Sequence, residues 1–110
     1  MQVLPIINQS GPLPIKVQFK APLDGPTLLV VTGTLWANVE NTPIQITAYL
    51  DGTQVGVSQL WSNQTGQHRT LPTLFINLNL SYGEHQLTLQ AGGTGVVSDI
   101  NDHYNASLIF

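Results

Sequence analysis

Cysteine is absent from this 110-residue chain, and charge is scarce. The missing thiol excludes a disulfide framework, a thiolate zinc site and a cysteine nucleophile. Charged side chains make up 8% of the sequence, against a usual ~25%. The only strong cations are Lys16, Lys20 and Arg69, too few and too scattered to track a phosphate backbone, so nucleic acid is excluded as a partner. Long apolar runs are missing as well. The longest uninterrupted aliphatic stretch is Leu28 to Val31, far short of the ~20 residues that span a bilayer, so no membrane insertion is expected. Met1 to Asn8 has neither a basic region nor a long apolar stretch, so it does not read as a secretory signal, and the composition assigns no compartment. Helical periodicity is the last absence: no window carries an amphipathic pattern over three turns. Disorder is excluded in turn, because 42% hydrophobic residues with a net charge of -3 is a composition that folds.

What the chain does have is alternation. Ile44, Ile46, Ala48 and Leu50 alternate with polar neighbours, as do Ile15, Val17 and Phe19, then Leu87, Leu89 and Ala91. Successive side chains on a strand point to opposite faces, so this period of two predicts half-buried strands. Turn chemistry separates them: Asp51-Gly52 predicts a hairpin, and Pro22 to Pro26, Ser81 to Glu84 and Gly92 to Gly95 predict turns or loops. About eight segments follow: 15–20, 27–37, 43–50, 54–61, 70–80, 84–91, a short one near 96–98, and 103–110. The fold class is therefore all-β, an antiparallel two-sheet sandwich. Residues 1–14, with Pro5, Pro12 and Pro14, are expected to be an extended lead-in to a single domain over 15–110.

Alternation fails at Leu28 to Val31, Leu35-Trp36, Leu60-Trp61, Leu74 to Ile76 and Leu108 to Phe110, which are apolar on both faces. A monomeric sandwich keeps its outer faces wet. Self-association, a homo-oligomer, is the expected use of the second apolar face.

Two family resemblances add to this reading. Gly33 to Asn38, Ile44 to Thr53, Gly83 to Leu89 and the terminal Asp102 to Phe110 together resemble the jelly roll of the tumour-necrosis-factor-like superfamily. That resemblance implies a compact homotrimer with first and last strands adjacent, and it carries no catalytic residues. Ser98 to Ala106 is similar to the acidic loop and final strand of the small calcium-dependent fucose- and mannose-binding bacterial lectins. There the resemblance implies Asp99, Asn101, Asp102 and Asn105 as calcium ligands. Two carboxylates are few for a cation that takes six to eight oxygens. An Asx-rich turn capping the last strand is the plainer role, and no resident metal or cofactor is expected.

The expected function is a non-enzymatic, lectin-like module on a homotrimer, with a structural head domain acting by self-association alone as the alternative. Trp61 heads the candidate sugar site, because an exposed indole offers a flat apolar face and one N–H. Asn63, Gln64, His68 and Arg69 beside it supply hydrogen-bonding groups. Trp36 lies mid-strand and is expected to be a core or interface anchor. His68, His85 and His103 are too far apart to form a local metal motif, and each is expected to hydrogen-bond locally. No glycine-rich phosphate loop or nucleophile elbow is present, so no enzymatic activity is expected.

Overall fold

Alternation resolves into ten strands in a computed structural model that describes every residue from Met1 to Phe110. They are β1 (Val3–Ser10), β2 (Ile15–Ala21), β3 (Gly25–Ala37), β4 (Thr42–Leu50), β5 (Thr53–Ser62), β6 (Arg69–Thr70), β7 (Leu74–Leu80), β8 (Gly83–Gly92), β9 (Val96–Val97) and β10 (His103–Ile109). One antiparallel sheet runs β2-β8-β4-β5. The other is built on β1-β10-β3, with β7 along the first half of β3 and the two-residue β6 and β9 along its second half. The chain crosses between sheets after β1, β2, β3, β5, β7 and β8. Among the longer strands only β4 and β5 form a hairpin within one sheet. This is the winding of a jelly roll.

The structure corrects the expectation for residues 1–14. Val3–Ser10 is a full strand, paired with β10 from Val3↔Ile109 to Ser10↔His103, and Ile7 is buried. Pro5 obscured it: proline breaks the alternation, yet an edge strand tolerates it, and the register shifts between Pro5 and Ile7. The 70–80 segment also divides. Leu71-Pro72-Thr73 separates β6 from β7, because Pro72 has no N–H for a ladder. The Asp51-Gly52 hairpin forms as expected, with both residues at positive φ (51° and 83°).

Between the sheets lies a core that includes Leu29, Val31 and Leu35 of β3, Ile44 and Ile46 of β4, Leu87 and Leu89 of β8, and Tyr104 and Leu108 of β10. Burial pushes the Tyr104 phenol well above its usual range. A hydrogen bond to Ser98 opposes the shift, and the charges of Asp102 and Asp99 reinforce it. The runs that were apolar on both faces split cleanly across the β1-β10-β3-β7 sheet. Leu29, Val31, Ile76 and Leu108 face inward, while Leu28, Val30, Phe75 and Ile109 occupy the alternate, outward positions.

Candidate functional site

The loops that follow β1, β3, β5, β8 and β9 meet at one end of the sandwich. Three backbone bonds tie them: Gly66 N–H to the Ala37 carbonyl, Asn38 N–H to that of Gly95, and Gly11 N–H to that of Asp102. At the centre is Asp102, 0% exposed. Its Oδ1 accepts from the Thr34 hydroxyl and from His68 Nδ1–H, each at 2.8 Å, and its Oδ2 accepts from the Asp99 N–H at 3.0 Å. A buried carboxylate survives only when it is well hydrogen-bonded, and Asp102 accepts three bonds, with at least one at each oxygen.

Asp99 stands one turn of loop away. Its Oδ1 accepts the Asn101 N–H at 2.9 Å, and its Oδ2 accepts the indole N–H of Trp36 at 3.0 Å. The Asn101 N–H, aided by the Trp36 bond and the His68 ring, holds this carboxyl below the usual range against a partial desolvation. The Trp36 and His68 rings lie 5.7 Å apart, tilted by 39°. Trp36 is thus outside the core. It shares the outward parity of Thr32 and Thr34 on β3 and is half-buried at the rim of this cluster.

His68, Asp99 and Asp102 bring ligand atoms within 4.8 Å of one another, close enough to share a cation. The donors already aimed at them argue for another role. All four carboxylate oxygens accept from N–H or O–H groups, which is the geometry of an Asx cap. Asn105 stands apart, two positions into β10, with Asn8 and Thr32 as its cross-strand partners.

The candidate sugar residues divide between the two sheets. Trp61 is 54% exposed and belongs to the outer face of β5, opposite Pro43. Asn63 and Gln64 are exposed on the loop that leaves it. His68 ends the same loop inside the Asp102 cluster, and half-buried Arg69 pairs with Leu35. All five therefore lie at one end of the molecule.

The opposite end holds a second cluster. Asp51, in the β4–β5 turn, accepts from His85 at 2.6 Å and from the Gln86 N–H at 2.8 Å. Ser81 Oγ, His85 and Asp51 follow the atom order of a hydrolytic triad, but the geometry is different. His85 Nε2 lies 2.8 Å from the Ser81 carbonyl and 3.5 Å from its hydroxyl. Bonds to two acceptors favour a proton on each ring nitrogen and raise the His85 pKa, and Nε2 is turned to the carbonyl rather than to the hydroxyl. Sequence spacing could not reveal this pair, since the residues are 34 positions apart. The surface also has no pocket at either end.

No known protein family matches the chain, and no curated protein matches it. Solved structures resemble its fold at low identity. Dimeric latent PorU from Porphyromonas gingivalis aligns with a TM-score of 0.60 at 11% identity, over 97% of this chain and 12% of its own. The tripod (BppUct-A-L) from the baseplate of bacteriophage Tuc2009 gives 0.59 at 16%, over 96% and 62%. A β-glucosidase from Paenibacillus barengoltzii gives 0.55 at 14%, over 98% and 10%. The chain thus spans less than two thirds of each of these three proteins. What it shares with them is the all-β sandwich.

Proposed function

We propose that this chain is a non-enzymatic, lectin-like carbohydrate-binding module presented on a homotrimer. The exposure of Trp61 on a charge-poor, pocket-free surface carries the reading. A large exposed indole is costly to leave in water, and its flat face suits the C–H face of a pyranose ring. Asn63 and Gln64 next to it supply neutral donors and acceptors for sugar hydroxyls. His68, oriented through its bond to Asp102, and Arg69 offer further hydrogen-bonding groups at the same end, on the other sheet. At His85, Nε2 faces the Ser81 carbonyl rather than the Ser81 hydroxyl, which supports a binding role over a catalytic one.

A homotrimer would raise the avidity of shallow sites without any new contact. It is supported by the outer face of the β1-β10-β3-β7 sheet. Val3, Ile109 and Leu28 form one cross-strand row there, and Pro5, Val30 and Phe75 belong to the next. That sheet joins the first and last strands, as the tumour-necrosis-factor-like resemblance implies. The same face supports the second reading, a structural head domain acting by self-association alone.

A glycan array separates the two. Saturable binding that Trp61→Ala abolishes, with an unchanged melting temperature, is the expected result. Silence across the array from a folded oligomer overturns the carbohydrate reading in favour of the structural one.

A further inference from the structure

We infer that the outer face of the β2-β8-β4-β5 sheet binds an extended, uncharged polysaccharide strand across several sugar units, an inference that rests on the carbohydrate reading above. The face is a ladder of amides. Register pairs Gln18 with Gln86, Gln45 with Gln59, Gln90 with Thr47, and Gln54 with Tyr49. Their inward neighbours, Val17, Ile46, Leu87 and Leu89, face the core, so the glutamines face out. Strands β4 and β5 carry no charged residue along their whole length. A solvated outer face ordinarily carries charged side chains, which makes a neutral amide array an unusual choice for water alone.

The relief of the face points the same way. On its two central strands the short side chains of Thr47 and Thr88, each 7% exposed, sit low between the longer Gln45, Tyr49, Gln86 and Gln90. The edge strands carry long ones, Lys16 and Gln18 on β2, Gln59 and Trp61 on β5. The low points among these longer side chains make a shallow trough rather than an enclosed pocket. Gln45 lies flat in it, across Gly92, where an added Cβ would fall 2.7 Å from the Gln45 Nε2. The side-chain hydrogen bonds of the protein gather instead around Asp102 and Asp51, and none engages these glutamine amides.

Chemistry selects the occupant. An amide presents a donor and an acceptor together, as a sugar hydroxyl does, so a ladder of amides matches a polyol at each step. Strands about 4.8 Å apart, with like-facing residues about 6.8 Å apart, set these groups on a grid comparable to the sugar units of a chain. An acidic polysaccharide would call for more cations than Lys16 and Lys20, which lie at one edge with Glu84 opposite Lys20. A peptide strand would add to a sheet edge rather than lie across its face. Trp61, at one corner of the trough, gives the chain its stacking contact.

The test is calorimetry with neutral gluco-, xylo- and manno-oligosaccharides from disaccharide to hexasaccharide. Native protein should bind the longer members of one series at least about tenfold more tightly than its disaccharide, each added contact contributing a modest hydrogen bond. Gln45→Ala with Gln59→Ala should erase that gain while disaccharide binding stays. Gln90→Ala, at an exposed position, should weaken the long chains without touching the fold. Equal affinity at every length, or full length dependence in folded glutamine variants, overturns the trough and leaves the Trp61 site standing. No binding by native protein to any of these sugars or to the glycan array overturns the carbohydrate reading itself.

Discussion

His85 on β8 and Asp51 in the β4–β5 turn meet at 2.6 Å, and this pair clamps the end of the sandwich opposite the loop site. The Asp51 hydrogen bond, the Ser81 carbonyl and the charges of Asp51 and Glu84 raise the His85 value above 6.5 despite some desolvation. Desolvation would raise the Asp51 carboxyl, but bonds from His85 and Gln86 with the His85 charge hold it below 3.8. The pair therefore stabilises through two titrations of opposite sign. His85 contributes fully below its unfolded value near 6.5, and the contribution fades as pH rises through the higher folded value. Asp51 contributes above its unfolded value near 3.9, and that fades as pH falls through the lower folded value. Urea unfolding should give the largest gap between native protein and His85→Ala between about pH 4 and 6.5, closing toward pH 9. A gap independent of pH would mean that the ring acts only through its stacking on Phe19.

Ser81→Ala separates a clamp from a triad. The 2.8 Å bond from His85 reaches the Ser81 backbone carbonyl, which alanine retains. Melting temperature and its pH profile should be unchanged, and neither protein should hydrolyse a nitrophenyl ester. Esterase activity lost on this substitution would assign the serine a catalytic role.

Much of the fold is legible in the sequence because its information is local. Alternation around Ile44 to Leu50 and a positive-φ turn at Asp51-Gly52 are properties of a few neighbouring residues. β1 was hidden because Pro5 and a register shift break its alternation, and only β10 reveals that an edge strand accommodates both. The site is less legible. Parity on β3 puts Trp36 on the face opposite Leu35, yet parity does not name its neighbours. Those come from the pairing of β6 and β9 with the second half of β3, which brings in His68 from 32 residues away and Asp99 from 63. Pairing between distant strands is a tertiary fact, and no spacing in the chain encodes it.

The outward apolar rows of the β1-β10-β3-β7 sheet lead to a test of self-association. Phe75 is 67% exposed beside half-buried Val30. Exposure on this scale favours a partner surface, since burying such a side chain contributes about 1.5–3 kcal/mol. Sedimentation equilibrium of native protein should give about three times the 11.9 kDa chain mass. Phe75→Ser should shift it to the chain mass without unfolding, because the residue contributes nothing to the core. A native monomer at micromolar concentration would rule the homotrimer out.

Calcium tests whether the carboxylates of the loop end are ligands or caps. A cation stabilises the state that binds it, by an amount set by its concentration relative to the dissociation constant. Its preferred six to eight oxygens would have to include Asp99 and Asp102, with Asn101 and carbonyls completing the shell. Yet Asp102 already accepts from Thr34, His68 and the Asp99 N–H, and Asp99 from Trp36 and the Asn101 N–H. Entry of the ion would break several of these bonds, and Nδ1 of His68 would have to give up its proton. Millimolar calcium should therefore leave the melting temperature unchanged. Asp102→Ala should lower stability by about 3 kcal/mol with or without calcium, because it removes the acceptor shared by Thr34, His68 and the Asp99 N–H. The opposite pattern, a calcium-dependent rise cancelled by Asp99→Asn with Asp102→Asn, would make the cluster a metal site. It would also restore the calcium-lectin resemblance that the hydrogen bonding argues against.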